Sequence, residues 1–160
     1  MSHQQSADTI DLRLEPLFSY RLGELAEIQV IGAVPEGARA NFINGADVEV
    51  RGERVRGRML ASGGDWMTVR RDGVALLDVR NVIETVEGAR ILYRYSGIAD
   101  MGEDGYERFL SGDAPPATLR GAPRMATAHP DFTWLNRLQC VVAGQIGPGT
   151  PGELAVYALR

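Results

Sequence analysis

The sequence predicts an all-β protein, a single antiparallel β-barrel. Apolar and polar residues alternate with period two over most of the chain, the pattern of half-buried strands. The 19 glycines punctuate that pattern at short intervals, as hairpin turns do. Many short strands with a turn signal about every ten residues belong to barrels and sandwiches. A length of 160 residues suits one domain, large enough to bury a core without disulfides or metal. Residues 11–160 form the expected barrel, and residues 1–10 read as a disordered polar tail.

Along the chain, residues 12–22 read as a first strand, 26–32 as a second and 38–45 as a third. Residues 47–51 and 54–60 form a hairpin closed at Gly52-Glu53, with Arg56 facing Glu49 and Arg58 facing Asp47. Next comes Asp72-Gly73, a strong hairpin signal when read as a two-residue loop. That register sets Val69 against Leu76, Met67 against Asp78 and Asp65 against Arg80. A second two-residue loop at Glu87-Gly88 sets Val82 against Tyr93 and Arg80 against Tyr95. Both registers meet at Arg80, which places Asp65, Arg80 and Tyr95 side by side on neighbouring strands. Met67, Asp78, Val82, Glu84, Ile91 and Tyr93 share that face. The opposite face, with Trp66, Leu77, Val79, Ile83, Leu92, Arg70 and Arg94, is also mixed. A one-residue slip in either hairpin exchanges the two faces.

Residues 97–123 are rich in glycine, proline and acidic residues, and read as a long flap over the barrel mouth, with one or two helical turns at 106–110. Residues 124–127 read as a short strand and 130–136 as a turn. Residues 138–144 and 154–159 are the closing strands, the last pairing back onto residues 12–22 and so removing exposed edges.

Composition excludes several functions. The formal net charge of -4 carries no nucleic-acid footprint. All 17 basic residues are arginine, so neither a Schiff-base lysine nor a phosphate-loop lysine exists. His3, in the polar tail, and His129, in a turn, are the only histidines, too few for a histidine-rich metal site. His129 reads as a turn residue rather than a base. Cys140 is the only cysteine and sits in an apolar strand, so it reads as an inert buried thiol in a reducing, cytoplasmic setting. Residues 1–9 lack the apolar run of a signal peptide, and no run of about 18 apolar residues spans a membrane. Ser62-Gly63-Gly64 lacks the strand-to-helix setting and nearby histidine of a nucleophile turn. Gly147, Gly149 and Gly152 have no helix pattern after them and make no phosphate loop.

Gly64-Asp65-Trp66, Arg70, Asp72-Gly73, Leu77-Asp78-Val79-Arg80, Glu84-Thr85 and Gly88-Ala89 stand in a recognisable order. So do Arg120, Ala122-Pro123-Arg124, Thr127 and Trp134-Leu135-Asn136. Together they resemble the bacterial family catalogued as domain of unknown function 3237, from about residue 17 to residue 159. The resemblance implies a calycin-like or lipocalin-like barrel, a lumen for a small ligand and a homodimer. It also implies cofactor-independent lyase or cyclase chemistry on aromatic or polyketide-like compounds, as in some related small barrels. Thr118-Leu119 stands where the family has aromatic residues, and Ala126 where a glutamate is common. Both departures lie beside the expected pocket, so no substrate carries over.

Asp65, Asp78, Arg80, Glu84 and Tyr95 are the expected catalytic group. In this reading Asp65 or Glu84 is the general base, Tyr95 the acid, and Arg80 the stabiliser of developing negative charge. Met67, Val82, Tyr93 and Ile91, with Phe109, Arg120 and Asn136, are the expected substrate-binding residues. Elimination, isomerisation or retro-aldol chemistry on a small aromatic or carbonyl compound fits this equipment, with no cofactor and no metal. Two other readings stand beside it. The cluster is a buried ion pair that only fixes barrel register, or it holds a carboxylate or phenol without turnover. The carboxylates favour an enzyme, because binding an anion has no use for them. Tyr93, Tyr95 and Phe109 line a pocket or simply pack the core, and Trp134 reads as core.

Overall fold

A computed structural model describes residues 10–160. The tail expected over residues 1–10, His3 included, therefore falls almost wholly outside the described residues. Two long strands organise the rest. β7 (Val74–Thr85) and β8 (Arg90–Asp100) pair along their whole lengths, from Val74 opposite Asp100 to Glu84 opposite Arg90. Both alternate strictly: Ala75, Leu77, Val79, Asn81, Ile83 and Thr85 are buried, while Leu76, Asp78, Arg80, Val82 and Glu84 turn outward.

The remaining strands wrap around this pair. β8 is followed in space by β9 (Ala117–Gly121), β11 (Cys140–Ile146), β12 (Glu153–Leu159), β1 (Leu14–Arg21), β4 (Val48–Arg51) and β5 (Gly57–Met59). β5 returns to β7, so eight antiparallel strands close a barrel. The β1–β12 pairing, with Leu14 opposite Leu159, is the closure expected from the alternating ends of the chain. β10 (Arg124–Ala126) adds to β8 beside β9. Along β7, residues 83–85 pair with β5 and residues 75–80 with β6 (Gly64–Val69). β6 carries β3 (Gly37–Asn44) and then β2 (Leu25–Val34), which among the described residues ends the sheet as a free edge.

The two hairpin registers differ from the sequence expectation by one residue each. Gly73 and Gly88 both have φ +84°. In each hairpin they end a three-residue loop instead of sitting in a two-residue one. The Arg70 N–H donates to the Val74 carbonyl and the Gly73 N–H to the Arg70 carbonyl; Thr85 with Ala89, and Gly88 with Thr85, repeat the pattern. A type I turn followed by a left-handed glycine is the next commonest hairpin loop after the two-residue turns. Asp65 therefore faces Val79, and Val79 faces Tyr95. Arg80 faces Gly64 and Arg94 on the outer surface. The β4–β5 hairpin also departs from expectation: Glu49 faces Arg58, because the connecting loop is longer and buries Val55. Arg58 still reaches Asp47, at 2.8 Å.

The core fills one half of the barrel. Ile83, Ile91 and Tyr93 are sealed there, and a 3-10 helix (Pro130–Arg137) packs on β10 and buries Phe132 and Leu135. His129 caps that helix, its Nδ1 accepting the Asp131 N–H at 3.4 Å. Trp134 is only half-buried, with the Arg54 guanidinium 3.8 Å above its ring. Cys140 is buried among apolar side chains, and burial pushes its thiol up to about 11. No described helix is long and apolar enough to cross a membrane.

The expected flap is shorter than residues 97–123, because its two ends are barrel strands: Gly97 pairs with Gly121 and Asp100 with Thr118. Between them lies a connection with one short helix, α1 (Gly105–Leu110), packed on β3. The Met101 N–H donates to the Gly73 carbonyl at 3.1 Å, tying this connection to the β6–β7 turn. Few ladder hydrogen bonds hold residues 101–116, so hydrogen exchange is expected to be faster there than in residues 77–83. Residues 97–100 and 117–121 are expected to exchange as slowly as 77–83. Uniformly slow exchange from 97 to 121 would show a rigid cap in place of a flap.

Candidate functional site

At the end of the barrel away from the sealed core, the inward faces enclose a cavity of about 310 Å³. That is the lower end of the range for small-molecule sites. Its wall is mostly apolar, with Phe42, Met59, Met67, Val79, Phe109 and Leu154 prominent. Five polar side chains break that wall: Tyr20, Asn44, Asp65, Asn81 and Tyr95. Strand geometry explains how they meet. Val79 lies at the centre, with Asp65 opposite it on one neighbouring strand and Tyr95 opposite it on the other. Asn81 is the next inward residue along β7. Asn44 ends β3, and Tyr20 comes from β1 across the closed barrel.

Asp65 is the chemically unusual member. Its Oδ1 accepts the backbone N–H of Asp78 at 3.0 Å, where no Trp66–Asp78 pairing continues the β6–β7 ladder. Among the described residues, no cation reaches it. Burial pushes its pKa from an ordinary 3.8 up to about 6, opposed by the Asp78 N–H and reinforced by the Asp78 carboxylate. Tyr95 is held well above the usual phenol range by burial first, then by the neighbouring Tyr20 hydroxyl and by Asp65. Burial acts the same way on Tyr20, whose hydroxyl lies 3.3 Å from that of Tyr93. Phe18, Tyr20, Tyr93 and Tyr95 form a chain of tilted or edge-to-face rings with centroids 5.6 to 6.5 Å apart. Such stacking fixes their hydroxyl positions.

The expected catalytic and binding residues divide by face. Asp65, Tyr95, Met67 and Phe109 line the cavity. Tyr93 and Ile91 point inward but are wholly buried in the sealed half. Arg80 does not face the lumen: its Nη2 pairs with Asp78 Oδ2 at 2.8 Å in solvent, 5.6 Å from the Trp66 ring. Asp78 lies on the same outer face. Glu84 sits outside between Arg58 at 2.8 Å and Arg90 at 3.3 Å. Val82 also turns outward. Arg120 is exposed on the outer side of β9, its Nη1 donating to the Leu119 carbonyl. Asn136 holds a turn through the Thr127 N–H and carbonyl, at 2.8 and 2.9 Å. The outward placements of Asp78, Arg80, Val82 and Glu84 follow from strand parity, because the apolar row Leu77, Val79, Ile83 takes the inside.

Tyr20, Asn44 and Asn81 are cavity residues that the sequence reading did not single out. For Asn81 a signal existed: it is the one amide in the row Ala75, Leu77, Val79, Ile83. Asn44 and Tyr20 carried none, since only closure of the barrel brings β3 and β1 to this place. Among the described residues, no arginine or histidine lines the cavity, and no group of three or more His, Cys, Asp or Glu residues gathers as a metal site.

Sequence and structure comparisons agree with this architecture. Residues 12–159 match the family described as Protein of unknown function (DUF3237). A protein of Rhodopseudomonas palustris described as a UPF0311 protein is 29% identical over 90 residues, which are 54% of this chain and 59% of that protein. The match thus spans well under two thirds of that relative's length. A crystal structure of a protein with unknown function from Clostridium acetobutylicum superposes with a TM-score of 0.81 at 24% identity, covering 94% of this chain and all of the other. A structure described as an enzyme from Penicillium herquei superposes at 0.69 with 17% identity, covering 97% of this chain and 99% of that one. At these identities the likeness is one of fold.

Proposed function

From the premise that the chain belongs to the family Protein of unknown function (DUF3237), we propose that it is an acid–base enzyme of lyase or isomerase type. It needs neither metal nor nucleotide, and it acts on a small neutral aromatic or carbonyl compound in the barrel lumen. The observation that carries this reading is Asp65: a half-buried carboxyl in an apolar cavity, reached by no cation among the described residues, its pKa raised to about 6. A base is most effective when its pKa lies near the working pH. At neutral pH Asp65 is ionised and able to take a proton. Tyr95 stays protonated, and its hydroxyl donates to an oxygen on which negative charge develops. This replaces Arg80 in the stabilising role. The distant barrel described as an enzyme supports catalysis on this fold.

Ligand charge tests the reading. With Asp65 ionised and no cation in the wall, an anionic ligand is repelled. At pH 8, 2-naphthol is expected to raise the melting temperature while 2-naphthoate leaves it unchanged. Tighter binding of the carboxylate would overturn the reading. Binding of neutral aromatics, with no proton transfer detectable on any of them, would favour the alternative, a non-catalytic binding protein.

The proposal includes a homodimer. β2 is a free edge with Ile28, Val30 and Ile31 more than half exposed, at 51%, 63% and 55%. Long apolar edges template pairing, and an antiparallel strand is self-complementary about a two-fold axis. Light scattering at micromolar concentration is expected to give twice the chain mass, and a lysine at Val30 to give one chain mass. A wild-type monomer would remove this part.

A further inference from the structure

We propose that Asn81 is the group that receives a carbonyl oxygen in this cavity. The ligand class is then a neutral ketone or ester carrying a hydrogen on the carbon beside its carbonyl. This rests on the acid–base reading of Asp65.

Asn81 is only 7% exposed. Its Oδ1 accepts the Asn44 Nδ2 at 2.9 Å. That oxygen lies against Gly63, where an added Cβ would stand 2.1 Å from it. The oxygen side of the amide is therefore occupied. Its Nδ2 has no protein partner among the described residues, and the residue borders the cavity. That donor is open to the cavity, since no described side-chain nitrogen is both buried and unpartnered, and it can bond a ligand oxygen without breaking a protein bond. A residue placed only to fill the gap where β7 passes from β5 to β6 has no need of that free donor. A ligand oxygen satisfies it.

The spacing suits the chemistry. Asn81 is two residues along β7 from Val79, which faces Asp65. Such diagonal neighbours stand about 7–8 Å apart at the backbone, leaving room for a carbonyl and its adjacent C–H between the two side chains. In the step proposed, the Asp65 carboxylate takes the proton from that carbon. The C–H electron pair becomes a C=C bond, and the carbonyl π pair moves onto oxygen, where the Asn81 N–H holds it. Asp65, now protonated, returns the proton to the same carbon or, in a conjugated ligand, to another. The net result is exchange or isomerisation, with no oxidant and no leaving group.

The full chain is tested with 1-tetralone and with its hydrocarbon counterpart, tetralin. Binding is read by intrinsic fluorescence, and exchange of the hydrogens beside the carbonyl by proton NMR in deuterium oxide. Wild type is expected to prefer the ketone and to catalyse exchange. Asn81→Leu is expected to cut the ketone preference about tenfold and to slow exchange about 100-fold, while tetralin binds as before. Asp65→Asn is expected to keep the ketone preference and lose exchange, which separates failure of the base from failure of the carbonyl site. Should the leucine variant not fold, Asn81→Asp keeps the oxygen for Asn44 and removes the donor, with the same expected loss of preference. An unchanged ketone preference in the folded variant, or no ketone preference in wild type, would overturn the assignment of Asn81.

Discussion

Replacing Asp65 with asparagine is expected to stabilise the protein at neutral pH while abolishing proton transfer. A carboxyl whose pKa rises from 3.8 unfolded to about 6 folded binds its proton more tightly in the native state. Stability then falls as pH rises through that window and stays low above it. The difference corresponds to at most about 3 kcal/mol above pH 7, less where cavity water solvates the charge. Asparagine keeps an oxygen for the Asp78 N–H and carries no charge. Urea unfolding at pH 8 should place Asp65→Asn about 2–3 kcal/mol above wild type. At pH 3.5, where both side chains are neutral, the two proteins should coincide. A variant less stable than wild type at pH 8 would mean that the carboxylate has a favourable partner, and the case for a poised base would fall. Cost to the fold at a group needed for chemistry is the usual trade between stability and activity.

The second large effect is expected at Gly73, through comparison with Gly88. Both close three-residue hairpin loops at φ +84°, so a side chain at either position meets the left-handed penalty of about 1–2 kcal/mol. Their surroundings differ. At Gly88 an added Cβ meets nothing within 4 Å, whereas at Gly73 it would stand 1.7 Å from the Gly102 carbonyl oxygen. That oxygen is backbone of the connection leading into α1, so the clash is relieved only by moving the connection off the β6–β7 turn. Gly88→Ala is expected to cost about 1 kcal/mol, and Gly73→Ala about 3–5 kcal/mol. The Gly73 variant should also lose protection over residues 101–116 and weaken ligand binding, since Met101, Phe109 and Pro115 line the cavity from that segment. Equal destabilisation by the two substitutions would show that the connection is not docked through this turn.

These glycines also separate what the sequence by itself determined from what only the tertiary structure decided. Period-two alternation and glycine spacing are local properties, and they were enough for most of the strands, β9 excepted, for the antiparallel barrel and for the closure of β12 on β1. The exclusion of a histidine metal site and of lysine chemistry followed from composition alone. Turn chemistry was less decisive. Asp72-Gly73 and Glu87-Gly88 suit a two-residue loop and a three-residue loop equally well, because both place glycine at positive φ. The choice shifts register by one and reverses every face. Both hairpins shifted in the same sense, so Asp65 and Tyr95 remained opposite one common residue, which is Val79 and not Arg80. The row Leu77, Val79, Ile83 against Asp78, Arg80, Glu84 already carried that answer, because apolar side chains gain most from the enclosed side. The rest depended on closure. Asn44, Asn81 and Tyr20 belong to three strands far apart in sequence, and only the closed barrel with its β2–β3–β6 extension brings them around one cavity. No local signal encodes that meeting, since it depends on strand order and curvature summed over the whole sheet.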